Sequence, residues 1–217
     1  MKAEGSRRFL LPFFKITGEI MDFFTKFFEK ISMLEIIILF AAYFLGIKFP
    51  DWDFKLKLKH RSILTHSPLA LLFLIRLYEQ DQNEVFRYFL IGFAIALALH
   101  FIFDLYPKGW GGGALLKIPI LKISCTPQVT RILLILFIVL CSITAVGYTK
   151  NTMEFICIFS LGVFTILKDM KKEGKLLRPF FSYTFFLIII GCIKYKEVLE
   201  QILKGVNFII KSISTFF

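Results

Sequence analysis

The chain has 217 residues, 57% of them hydrophobic and 17% aromatic, with 28 phenylalanines. Its mean hydropathy of +0.71 and the clustering of its apolar residues exclude an ordinary soluble domain and point to a single-domain integral membrane protein. The formal net charge of +11 is carried mainly between apolar runs and without any RNA- or DNA-reading motif, so the expected partners are anionic lipid head groups and not nucleic acid.

Residues 8–30, RFLLPFFKITGEIMDFFTKFFEK, place Phe23, Phe24, Phe27 and Phe28 on one helical face and Lys26, Glu29 and Lys30 on another. That pattern predicts an amphipathic helix lying in the membrane interface, within a first segment of residues 1–32. Pro12, Lys15 and the lack of a small-residue cleavage site speak against a removed signal peptide. The next apolar run, 33–49, contains Glu35 and at 17 residues barely spans a bilayer, so a re-entrant or interfacial course is an alternative. After a polar loop, SPLALLFLIRLY predicts a short helix with Ser67 as cap and Pro68 in its first turn. A run of unambiguous length follows at about 84–106, with further segments at 129–149, 153–168 and 179–195, an amphipathic tail at 197–217 and one flexible stretch, GWGGG, at 109–113.

The predicted fold is therefore all-α: a polytopic transmembrane helical bundle with an N-terminal amphipathic interfacial helix. Residues 33–128 are read as its polar-site core and residues 129–217 as further transmembrane helices and tail. The basic loop 168–178 is expected on the cytoplasmic side. Counting back from it places the loops 48–67 and 107–128 on that same face of a cell (inner) membrane. The four cysteines, Cys125, Cys141, Cys157 and Cys192, have no ligand spacing, and structural disulfides are not expected.

The chain's three histidines fall within residues 60–100. His100 and Asp104 are four apart on a predicted helix and share a face, which suits a divalent metal but equally a hydrogen-bonded pair inside a bundle. Asp51 and Asp53 flank Trp52, and an extended backbone would put both carboxylates on one side; a polar turn anchored by Trp52 is the plain alternative. His60 and His66 are six apart, a separation that fits a folded-back loop better than a helix face. Their segment, HRSILTHS, also reads simply as a basic juxtamembrane loop. Taken together, three carboxylates and three imidazoles make one well-filled metal site, or two metals bridged by a carboxylate. Mixed nitrogen and oxygen donors favour Zn²⁺, with Mn²⁺ or Fe²⁺ as alternatives.

PDWD at 50–53, HRSILTHS at 60–67 and HFIFD at 100–104 resemble, in order and spacing, the motifs of the YdjM-like family of membrane-bound metal-dependent hydrolases. The resemblance covers about residues 40–125 and implies that Asp51, Asp53, His60, His66, His100 and Asp104 ligate metal or support its ligands. It implies a metal-dependent hydrolase site at the membrane surface; the similar His/Asp vocabulary of zinc-dependent phospholipases makes a lipid phosphoester the natural bond by analogy. In that reading Asp53 or Asp51 takes the proton, and Arg61 with the helix start at Ser67 holds the phosphate. Lys55, Lys57 and Lys59 would recruit anionic head groups, and Trp52 and Trp110 would fix the depth of the site. The alternatives are a zinc-dependent lipid amidase of the alkaline-ceramidase type and a non-catalytic metal-binding protein or transporter. A structural or toxic membrane protein with incidental histidines is a further one.

Overall fold

The computed structural model describes residue 25 and residues 31–107, 109–119, 123–173 and 177–214. The helix expected over 1–32 lies almost wholly outside these, as do residues 174–176 of the basic loop. Contacts divide the chain into a unit of residues 1–37 and a unit of residues 38–217.

The protein is mostly helical: α1 Met33–Lys48, a single 3₁₀ turn at Pro50–Asp53, α2 Leu69–Gln80, α3 Glu84–Asp104, α4 Pro127–Tyr148, α5 Thr152–Glu173, α6 Leu177–Lys194 and α7 Lys196–Ser214. The helix starts follow local chemistry. At α1 a reciprocal capping box forms, with Ser32 N donating to Glu35 Oε2 at 2.7 Å and Glu35 N to Ser32 Oγ at 3.3 Å. The charge inside this apolar run is thus the capping residue of its helix. Asn83 Oδ1 accepts from Val85 N at the start of α3, and Thr126 Oγ1 from Val129 N ahead of Pro127 in α4.

Three helices among the described residues, α3, α4 and α6, are long and apolar enough to cross a membrane. At 16 residues α1 is about 24 Å long, and α2 at 12 residues is about 18 Å, both short of a ~30 Å hydrocarbon core. Their sequence explains α3's central place. Within its apolar window 78% is buried inside the protein, against 44% for α4 and 22% for α6. An all-round apolar helix without a polar stripe must be covered on every side, and α2, α4, α5 and α6 pack around it.

α1 also crosses α3 closely. A Cβ added at Gly92 would lie 2.3 Å from the Leu39 carbonyl oxygen, and one at Gly46 would lie 2.8 Å from both Ala96 Cβ and the Phe93 carbonyl. Small residues permit such approach of two backbones. The contact has a consequence one residue on, because it brings the Ile47 carbonyl to His100.

Two features depart from the expected all-α, extended-loop picture. Lys117–Ile118 and Ile123–Ser124 form a two-stranded antiparallel hairpin, β1 and β2, and Lys117 also makes a parallel bridge to Ser62. The helix expected to be capped by Ser67 begins at Leu69; Ser67 Oγ approaches Leu69 N at only 3.4 Å, and Pro68 is the residue before the helix. Gly112–Ala114 of the glycine stretch forms a short 3₁₀ turn.

Gly92→Ala should cost about 1–3 kcal/mol because its methyl meets backbone and not a pliable side chain. Gly147→Ala, where an added Cβ meets nothing within 4 Å, should be neutral. Thermal unfolding of the two variants in detergent checks the contrast; equal melting temperatures would refute the close crossing.

Candidate metal centre

Three stretches far apart in sequence converge at the C-terminal end of α3. Of the two forms PDWD allowed, an extended chain and a polar turn, the structure has the turn, Pro50–Asp53. One 3₁₀ step turns about 120°, so residues two apart diverge: Asp53 is buried and Asp51 exposed. Both carboxylates nevertheless approach His66, Asp53 together with His60 and Asp51 together with His100.

His66 is fully buried between them. Its Nδ1 lies 3.8 Å from Asp53 Oδ2, and its Nε2 lies 3.6 Å from Asp104 Oδ2. His100 Nε2 is also 3.6 Å from Asp104 Oδ2, as one-turn spacing on α3 requires. The His66 and His100 rings meet edge to face at 5.4 Å, and His60 meets His66 at 5.9 Å. One donor atom each from Asp51, His66 and His100 lies within 4.8 Å of the others. His60 is the outermost member, its side chain 40% exposed, with Nδ1 3.3 Å from Asp53 Oδ2 and Phe54 stacked on its ring.

Hydrogen bonds assign the ring tautomers. His100 Nδ1 lies 3.0 Å from the Ile47 carbonyl, an acceptor only, so Nδ1 carries the proton and Nε2 presents a lone pair. Thr65 Oγ1 donates to the Ser62 carbonyl, leaving its lone pair to accept from His66 Nδ1 at 3.2 Å. Burial is the main cause, ahead of His100, Arg61 and His60, that pushes the His66 pKa down to about 2, so its ring is neutral at physiological pH. His66 Nε2 is then also a bare lone pair. Two imidazole lone pairs thus face the same carboxylate oxygen, an arrangement that repels unless a cation or proton stands between them.

Arg61 completes the frame. Its Nη2 donates to Asp104 Oδ1 at 2.6 Å and its Nη1 to the Ala114 carbonyl at 2.6 Å. Its backbone N–H donates to Asp53 Oδ2 at 2.7 Å, and its carbonyl accepts from Lys117 N at 2.9 Å. These bonds hold it at φ 59°, a left-handed conformation that a side chain reaches at a steric cost. The guanidinium expected to reach outward for phosphate is therefore turned inward, where it orients the Asp104 carboxylate.

A second buried ionic cluster provides an internal control. Near the N-terminal end of α3, Glu154 accepts from both Arg87 terminal nitrogens, Tyr88 Oη, Lys150 N and Asn151 Nδ2. Arg87 also donates to Glu84 and to the Tyr148 carbonyl. Every one of those polar atoms has a partner, as a structural lock demands. At the other end Asp53 Oδ1, His60 Nδ1, His66 Nε2 and Asp104 Oδ2, together with the Arg61 Nε–H, are buried without a hydrogen-bond partner. Buried orphans of this kind call for a ligand, and neutral imidazole and carboxylate donors fit a divalent cation.

The sequence reading did not anticipate the positions that fix these ligands: the carbonyls of Ile47 and Ala114, and Thr65. Backbone acceptors carry no sequence signal. Comparison of the chain with protein-family models, with curated proteins and with solved structures finds no match.

The depressed His66 pKa predicts a direction for stability. Between about pH 2 and 6.5 the unfolded chain binds a proton at this ring that the folded chain does not. Metal-free protein should therefore lose stability as pH falls below 6.5, by up to about 1.4 kcal/mol per unit, and be insensitive at this site above it. Melting temperatures of chelator-treated protein at pH 7.5 and 5.0, compared with those of His66→Gln, measure the effect; an equally steep fall in the variant would refute it.

Proposed function

We propose that the protein is a membrane-embedded, metal-dependent hydrolase that acts on a membrane lipid, most naturally at a phosphoester bond. The observation that carries this reading is the approach of one donor atom each from Asp51, His66 and His100 to within 4.8 Å of one another, with buried, unpartnered atoms of His66 and Asp104 beside them. The resemblance of the three motifs to the YdjM-like hydrolases supports the same reading.

Asp51, His66, His100 and Asp104 are the residues that would hold a divalent ion, Zn²⁺ before Mn²⁺ or Fe²⁺. Such an ion supplies Lewis acidity toward a phosphoryl oxygen and makes water a better proton donor at neutral pH. Asp53 and His60 are the proton-accepting pair: His60 opens to the exterior, and Asp53, anchored by the Arg61 N–H, holds its Nδ1 side. Arg61 is a positioning residue that fixes which Asp104 oxygen faces the histidines.

A lipid as substrate is supported by the rim. Phe54, Leu56 and Leu64 are exposed, and Lys55, Lys57 and Lys59 alternate with the first two and Leu58. Apolar side chains among lysines suit a loop seated at the head-group level. Trp52 lies under the Lys55 ammonium and Trp110 under the Arg131 guanidinium, the interfacial pattern of aromatic residues. We place the site on the cytoplasmic face of the inner membrane, from the charge of the loops on its side. An uncharged amide substrate leaves the lysines without a role, which favours the phosphoester over the amidase reading.

The test is direct. Detergent-purified protein should carry tightly bound metal by mass spectrometry and should turn over lipid in mixed micelles. His100→Ala and Asp104→Ala should lose both. Arg61→Gln should lower metal affinity by on the order of 10–100-fold, as loss of an orienting partner does. Unchanged turnover in the two alanine variants would sink the proposal, and metal retained with no lipid product would make this a non-catalytic metal protein.

A further inference from the structure

The orphaned donors all lie on one side of the 53–66 loop. Its other side borders a cavity of about 210 Å³ between that loop and the β hairpin. Lys57, Lys59 and Lys117 line it, with Ser62, Ser124 and the apolar Ile123. No carboxylate contributes to the lining, and none of the three lysines forms an ion pair among the described residues. Three lysines at one cavity concentrate positive charge there without a counter-charge.

The walls are built and not incidental. Lys117 is fixed on both backbone sides, its N–H donating to the Arg61 carbonyl at 2.9 Å and its carbonyl accepting from Ile63 N at 2.8 Å. It pairs with Ser124 across the hairpin and with Ser62 in the parallel bridge. Lys57 stands at φ 56°, a left-handed position where glycine would sit without strain. Ser62 is buried and its Oγ accepts from Leu64 N, so its own proton is left to donate.

We infer that this cavity is a discrete anion subsite that binds a phosphate group, with Lys57 and Lys117 as its opposing cationic walls and Ser62 as a hydroxyl donor. Ammonium groups bind phosphate as point charges without requiring a planar fork. The cavity is several times the ~30 Å³ share of one water, and Ile123 offers an apolar contact beside it. As a lipid head-group subsite it rests on the hydrolase reading, because Lys59 and Ser62 are the chain neighbours of His60 and Arg61. As a phosphate-binding cavity it depends on the lysines alone. It differs from diffuse attraction of the loop to an anionic surface, since Lys55, with the same charge, lies over Trp52 and outside the cavity.

The experiment is calorimetric titration of the full-length, detergent-purified protein with two probes: inorganic phosphate and a short-chain phosphonate analogue of phosphatidic acid, which cannot be hydrolysed. Saturable binding should weaken at least tenfold in Lys57→Gly and in Lys117→Gln. It should be unaltered in Lys55→Gln, and it is measured on chelator-treated protein so that phosphate held by metal does not contribute. Lys57→Gly should melt at or above the parent temperature, since it relieves the left-handed strain, so its loss of binding is not loss of fold. Tighter binding of the analogue than of phosphate identifies a lipid head group; equal affinity identifies the free anion. Equal weakening by Lys55→Gln, or no weakening by Lys57→Gly and Lys117→Gln, overturns the subsite. Neither result bears on metal content or turnover, so failure here is distinct from failure of the hydrolase.

Discussion

The buried ion pair between Arg61 and Asp104 is the interaction on which the site depends. It joins the loop to the end of α3 at 2.6 Å, with both side chains nearly enclosed. Removing one partner of such a pair leaves an uncompensated charge and costs about 3–5 kcal/mol. Its effect is also geometric. With Oδ1 held by the guanidinium, Asp104 Oδ2 is the oxygen that faces His66 and His100. The same arginine ties Asp53 through its N–H, Ala114 through Nη1 and Lys117 through its carbonyl. One residue therefore sets the Asp53 and Asp104 carboxylates and the hairpin wall of the lysine cavity together.

α3 supplies the rigid reference for this frame. Its apolar residues are buried on all sides, and its polar groups are confined to its ends. From Arg87 to Asp104 the helix rises ~25 Å, so the two ionic clusters lie near opposite limits of a hydrocarbon core. Their chemistry differs in a way that separates structure from function. The Arg87–Glu154 cluster ties α3 to α5 and to the end of α4 with every donor and acceptor matched. The His–Asp cluster is anchored just as firmly by Ile47, Thr65 and Arg61, yet its inward atoms are unmatched. Rigid support around unsatisfied donors is the arrangement of a preorganised ligand site.

The sequence was legible where chemistry is local. HxxxD depends only on helical periodicity, and the structure places His100 and Asp104 as that spacing dictates. The apolar runs at 84–106, 129–149 and 179–195 became α3, α4 and α6, long and apolar enough to span, whereas 153–168 lies in α5, which is not among the three candidate spans. PDWD left extended chain and turn both open because its form follows from being enclosed: the turn lets Asp53 reach the Arg61 N–H, eight residues on. Arg61 was read as an outward phosphate ligand, since nothing in HRSILTHS announces partners 43 and 53 residues away. The hairpin escaped notice because two-residue strands are too short for alternation to register. Lys117, which the hairpin brings to the loop, therefore had no place in the sequence reading.

The position of the polar site at a helix end, and not at mid-membrane, follows from desolvation. Ionised carboxylates deep in hydrocarbon are costly unless paired. Here Asp104 has its cationic partner, and Asp51 and His60 open the cluster to the exterior. The rim of Phe54, Leu56 and Leu64 is greasy enough to sit among acyl chains, while its lysines stay at the charged surface. On the proposed reading such a rim would favour substrates that already lie in the membrane, because a soluble phosphoester gains nothing from apolar side chains. The loop thus joins two chemistries: buried imidazole and carboxylate groups at the end of α3, and three lysines at a cavity that no carboxylate lines.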